Sequence, residues 1–205
     1  MRQTKIGSLA FGWCPSIIIK NYMKKKLILT AAFCATIFGY GFGQIYMADS
    51  ARISFFSKTS AEDIDAANTV CKPIMSVSTG EFDVSLINTS FDFPKPLMKE
   101  HFNEDYMESA KYPKTVFTGK IAGAVDYLED GVYNVSVTGT MDMHGVKKQI
   151  TVPGTITVKN GVLFIYAKFN VKIADYNIKL PSFLSMNVAD NVDVTVKATM
   201  KPYKK

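Results

Sequence analysis

The chain has 205 residues, 47% of them hydrophobic and 20% charged, enough apolar content for one globular domain with a sizeable core. Its net charge of +6 invites an anionic partner, but the six basic residues before residue 44 account for the whole excess of 24 Lys+Arg over 18 Asp+Glu. The rest of the chain is neutral by formal count, which excludes a basic nucleic-acid surface.

Residues 1–22 precede a complete export signal and read as an over-long gene start. From Met23 the run MKKKLILTAAFCATIFGYGFGQ has a basic start, an apolar stretch from Leu27 to about Phe38, and small residues at Gly41 and Gly43. This predicts a signal peptide over 23–43, cleavage after Gly43, a periplasmic or secreted protein and no stable membrane span once the signal is removed, the apolar stretch being too short to span. Cys14 and Cys34 leave with the signal. Phe33 stands where a lipidation signal needs a small residue, so Cys34 is not expected to be acylated. Cys71 alone remains, which rules out an internal disulfide and leaves a packed, inert thiol.

Strand periodicity dominates residues 44–205. ARISFFSK, IMSVSTGEFDVSL, SFDF and TVFTGKIAGAVDYL are strand candidates, the last followed by an Asp130-Gly131 turn. In GVYNVSVTGTMDMHG, Tyr133, Val135, Val137, Gly139, Met141 and Met143 share one face and polar residues the other. QITVPGTITV continues with Ile150, Val152, Ile156 and Val158, and Asn160-Gly161 is a two-residue hairpin turn. The return strand places Leu163, Ile165, Ala167, Phe169, Val171 and Ile173 on one side, and NVDVTVKATM closes the series. Short strands at turn-marked intervals predict an all-β sandwich or closed barrel.

Two stretches read as helical. SAEDIDAANT has Ser60 and Asp63 in a capping-box spacing. PLMKEHFNEDYMESAKYP starts with Pro96 in a first turn and carries Met98, Phe102 and Tyr106 at i, i+4 and i+8. Its Glu100, Glu104 and Glu108 form a solvated row. His101 lacks a second histidine one turn away, and His144 lies at a strand end, so no metal site is expected. No nucleophile elbow or phosphate loop is present, and no cofactor is indicated. His144 reads as an exposed strand residue bracing the His144-Gly145 turn. Lys147-Lys148 reads as the solvated outside of that turn.

The runs LMKEHFNEDYMESAKYPKTVFTGKI, DGVYNVSVTGTMDMHGVKKQITVPGTI and FNVKIADYNI resemble the YceI-like family of exported polyisoprenoid-binding proteins, from about Ile53 to Met200. The resemblance implies an eight-stranded antiparallel, lipocalin-like barrel with one or two short helices packed on it, enclosing an apolar cavity for an isoprenoid or other long-chain lipid. Where many relatives carry Arg-x-Asp-aromatic-Gly, this chain reads Ile173, Ala174, Asp175, Tyr176, Asn177. Loss of the arginine implies a different head group or a looser grip on the same tail.

Eight-stranded barrels hold one small ligand when their inward faces leave the middle open. Candidate lipid-binding residues are Phe55, Val77, Phe82, Phe117, Tyr133, Val135, Val137, Ile165, Phe169 and Val171, with His101, Asp175 and Tyr176 as polar contacts at the mouth. The same alternation also builds a filled core, so the sequence leaves cavity and packed interior both open. Two further readings stand beside lipid binding. One is an envelope enzyme using His101 with Glu104 or Asp175 on a lipid-like substrate. The other is a filled barrel that binds a protein through Phe164 and Tyr166. A homodimer also stays open.

Overall fold

The computed structural model describes residues 44–58, 63–178 and 191–203. All of them belong to one compact unit, Gly43–Lys205. The readings made for residues 1–22, for the signal at 23–43 and for Ser60 fall outside the described residues.

Among the described residues, nine antiparallel strands build the unit: β1 (Ile45–Ser57), β2 (Ile64–Asn68), β3 (Ile74–Ser76), β4 (Glu81–Ile87), β5 (Lys114–Ala122), β6 (Gly131–Met143), β7 (Val146–Lys159), β8 (Val162–Lys172) and β9 (Asn191–Pro202). β3 to β9 follow one another in the sheet, and β9 pairs with β1 from Tyr46↔Pro202 to Phe56↔Asp193. That pairing closes the sheet on itself. β2 and β3 share one edge of β1, at Ile53–Ser57 and Ile45–Met47 respectively. Nine strands therefore occupy eight positions, and the expected eight-stranded antiparallel barrel is what forms.

The strand of period two over 131–143 is β6, paired with β5 on one side and with β7 on the other as far as the Met143↔Val146 turn. His144 (φ 52°) and Gly145 (φ 74°) make that turn, and Asn160 (φ 51°) and Gly161 (φ 73°) make the β7–β8 turn. Positive φ at both central residues is the type I′ geometry whose twist matches the flanking strands. β5 and β6 cross closely at Gly119↔Gly139. A Cβ on Gly139 would stand 2.4 Å from the Cα of Gly119.

The helix predicted from Pro96 forms as α1 (Pro96–His101), with Pro96 in its first turn, and it continues as a wider π turn over Phe102–Tyr106. Met107 N–H donates to the Phe102 carbonyl at 2.8 Å, and the Asn103 side chain bonds the Lys99 carbonyl and accepts from the Ser109 hydroxyl. The other helical reading fails. Ile64–Asn68 of SAEDIDAANT is strand β2, its Ala66, Ala67 and Asn68 buried against β1. A free edge of β1 captures a segment whose local signal was only a capping pattern. SFDF is likewise no full strand: Asn88–Ser90 is a 3-10 turn, followed by a single bridge, Ala67↔Asp92.

One end of the barrel is filled. Tyr46, Met75, Val158, Leu163 and Met200 are almost fully buried there, and the Tyr46 hydroxyl donates to the Gly161 carbonyl at 3.3 Å. The other end, where β1, β4, β6 and β8 finish, carries α1 and a second cluster of Met107, Met141, Val171, Ile173, Tyr176 and Ile178. Cys71 is buried, and burial pushes its thiol pKa up, as an inert packed thiol requires.

Candidate functional site

Between the filled end and α1 the barrel is hollow. The cavity has a volume of about 390 Å³. Inward residues of every strand but β3 contribute to its wall, which is overwhelmingly apolar. Alternation explains the lining. Val135, Val137, Met141 and Met143 of β6 fall inside, as do Ile165, Ala167, Phe169 and Val171 of β8.

An aromatic group closes the α1 side. Phe102 stacks on Phe55 with centroids 5.5 Å apart, and Phe91 and Phe93 stand 5.5 and 5.1 Å from Phe102. The predicted helix stripe of Met98, Phe102 and Tyr106 faces the cavity in full. Burial and the neighbouring Asp105 carboxylate raise the pKa of the Tyr106 hydroxyl, keeping it neutral.

Several polar groups on the wall are engaged within the protein. The Asn88 amide donates to the Tyr112 carbonyl at 2.7 Å and accepts from the Thr115 hydroxyl at 3.0 Å. His101 reaches the wall with its Nδ1 2.6 Å from Asp105 Oδ2, both side chains partly exposed. The carboxylate that meets His101 is thus Asp105, one turn on, and Glu104 is exposed. Among the described residues, no three His, Cys, Asp or Glu side chains gather to hold a metal ion.

Nine of the sequence-predicted site residues share this wall: Phe55, Phe82, Phe117, Val135, Val137, Ile165, Phe169, Val171 and His101. Four do not. Val77 lies just past β3, its N–H bonded to the Gln44 carbonyl, and packs on the core of the filled end. Tyr133 packs on that same core, its hydroxyl donating to the Glu129 carbonyl at 3.0 Å. Asp175 is outside the cavity and pairs with Lys148 at 2.7 Å, an interaction that lowers its carboxyl pKa. Tyr176 is buried beside it in the second cluster, and burial raises its hydroxyl pKa. Phe91, Phe93, Met98 and Phe102 also stand on the wall, beyond the residues expected from the sequence. For Met98 and Phe102 the apolar stripe of the helix was the available signal.

Two readings around the β6–β7 turn also change. His144 is buried, 7% exposed, where an exposed strand residue was expected. It does brace the turn: Nδ1 lies 3.0 Å from the Tyr176 carbonyl, the ring packs on Tyr112 with centroids 4.4 Å apart, and Nε2 lies 3.5 Å from Glu108 Oε1. Lys148 is engaged by Asp175, while Lys147 lies in solvent beside Asp142. At Asn177 the chain takes φ 56°, where the resemblance placed glycine. Asparagine tolerates that left-handed conformation better than other side chains do.

Among the described residues no helix is long and apolar enough to cross a membrane. No curated protein matches the sequence. Solved structures do. A polyisoprenoid-binding domain from Saccharophagus degradans implicated in plant cell wall breakdown superposes with TM-score 0.67 at 16% identity, over 77% of this chain and 98% of that one. BcnA of Burkholderia cenocepacia gives TM-score 0.62 at 18% identity, over 73% and 95%. The YCEI protein of Campylobacter jejuni gives 0.52 at 18% identity, over 73% and 85%. These likenesses establish the shared fold. The YceI-like domain family matches residues 46–200, almost the whole barrel, and the chain belongs to that family.

Proposed function

We propose that this protein is an exported lipid-binding protein that holds the tail of an isoprenoid or similar amphiphile inside its barrel, as a carrier or sequestering protein. One observation carries the reading: a cavity of about 390 Å³ walled by aliphatic and aromatic side chains, its Asn88 and Thr115 already bonded to each other. Such a wall offers a tail the transfer free energy of its methylenes, about 0.8 kcal/mol each. It offers few polar partners to reacting atoms. The Saccharophagus relative's polyisoprenoid binding supports the ligand class. His101, held by Asp105 at the wall, is the side chain placed to meet a polar head. Asp175, in the segment where the resemblance places an arginine motif, is engaged by Lys148, in keeping with either a different head group or a looser grip on the same tail.

The signal reading of residues 23–43 supports export, and the first residue of the secreted form is then Gln44. N-terminal sequencing of protein recovered from the periplasm tests that point. Binding is tested with 11-(dansylamino)undecanoic acid, whose fluorescence rises in apolar surroundings. Phe169→Glu and Val135→Glu each put a carboxylate on the wall and are expected to abolish the signal while circular dichroism remains that of a barrel. Undiminished probe binding by both folded variants would contradict the proposal.

A further inference from the structure

The wall of the barrel is interrupted between β7 and β8. Their hairpin is closed by the Lys159↔Val162 pair across a two-residue type I′ turn. In such a hairpin the closing pair is hydrogen-bonded and every second pair after it is too. Thr157↔Phe164 and Thr155↔Tyr166 follow in that class, and the next is residue 153 opposite 168. Residue 153 is proline, which has no N–H to give. The ladder ends one step earlier, at Gly154↔Ala167.

Both strands nevertheless run on. β7 stays paired with β6 to Val146, and β8 stays paired with β9 to Lys172↔Asn191. Residues 149–153 and 168–172 thus flank a gap in which neither strand pairs with the other. Further along, the two sides are tied again by the Lys148–Asp175 ion pair at 2.7 Å and the His144–Tyr176 carbonyl contact at 3.0 Å. Five strand residues make the gap about 16 Å long. At its inner end, Thr155 and Tyr166 line the cavity although their strand positions face outward, and Tyr166 is 45% exposed. Gly154 and Ala167, the smallest residues of that rung, stand between them and the interior.

We propose that this gap is a lateral portal through which the ligand's tail enters and leaves the cavity, a proposal that rests on the lipid-binding function above. Its rim has the chemistry of an amphiphile's path. Backbone groups of the two strands that have no partner strand among the described residues stay with the polar head, together with the exposed Lys172 and with Lys168, itself 3.2 Å from Asp193, while Ile165, Phe169 and Val171 take the tail inside.

The test uses stopped-flow kinetics of 11-(dansylamino)undecanoic acid. Thr151→Cys, exposed on the β7 edge of the gap and absent from the cavity wall, carries a bulky maleimide adduct at the portal. Phe56→Cys carries the same adduct on the outer face of β1, and Leu97→Cys carries it on α1 at the barrel's end. The parent protein goes through the same labelling. The portal adduct is expected to slow association and dissociation together by about tenfold or more, with Kd held within about threefold. Pro153→Val, which restores the missing N–H, is expected to slow exchange in the same way without any adduct. Rates unchanged by both portal variants, or slowed only by the adduct at residue 97, would overturn the portal and leave lipid binding standing. No probe binding by the parent protein would overturn both.

Discussion

The size of the cavity sets a limit on how much tail it can reward. At about 30 Å³ for a group the size of a water or a methylene, a cavity of 390 Å³ holds on the order of a dozen carbons. Each is worth about 0.8 kcal/mol, close to fourfold in affinity, so the gross gain reaches about 10 kcal/mol. Subtracting at least about 4 kcal/mol for lost translational and rotational freedom leaves a Kd in the tens of micromolar. A series of saturated fatty acids measured by displacement of the dansyl probe should gain about fourfold per methylene up to about twelve carbons, then level off. Val196 lies on the cavity wall. Val196→Phe adds about four carbons of side chain to the space, so its plateau should begin about four carbons earlier. Affinity that climbs without a break to the longest chain, or a plateau that Val196→Phe leaves in place, would refute the assignment of the tail to this cavity.

Three further outcomes follow from the packing. Gly139→Ala drives a methyl into the backbone of Gly119 and should cost about 1–3 kcal/mol by urea unfolding; an unchanged midpoint would mean that β5 and β6 do not cross so closely. His144→Ala removes a buried ring that joins the β6–β7 turn to Tyr176 and Tyr112, and puts alanine at positive φ. It should cost about 2 kcal/mol or more, and a stability equal to the parent's would show that the turn needs no brace. Asp175 has a lowered folded-state pKa, chiefly through its hydrogen bond from Lys148. In acid the unfolded chain therefore binds its proton first, and stability rises with pH through that window. The stability gap between the parent and Asp175→Asn should be constant above about pH 5, shrink as pH falls through the folded pKa, and vanish in strong acid. A gap that widens on acidification would reverse the assigned sign.

How far the sequence foretold this arrangement depends on the kind of signal each element carries. β6, β7 and β8 were legible because period-two alternation over ten or more residues admits one reading, and their type I′ turns are spelled by His-Gly and Asn-Gly. The cavity-facing stripe of α1 was legible for the same reason at helical period. β2 was not, since Ile64–Asn68 is a strand only because β1 offers it an edge, a contact beyond any local pattern. Phe91 and Phe93 reach the wall from irregular backbone, which has no period to reveal direction. Asp175 and Tyr176 had the right motif and the wrong destination, because Lys148 and His144, their partners, are distant in sequence. Whether the interior was full or hollow turned on the sum of side-chain volumes at each level of the barrel, which alternation alone does not give. Pro153 was visible throughout, but its meaning required the hairpin register that places it in a hydrogen-bonding position.

The central claim, that the hollow of the barrel is occupied by a lipid tail, is tested most directly by mass spectrometry of an organic extract of the natively purified protein, beside the same protein unfolded and refolded. The account predicts a stoichiometric amphiphile in the native preparation, absent after refolding and absent from Phe169→Glu. A native extract free of lipid, from protein that also fails to take up the dansyl probe, would contradict it.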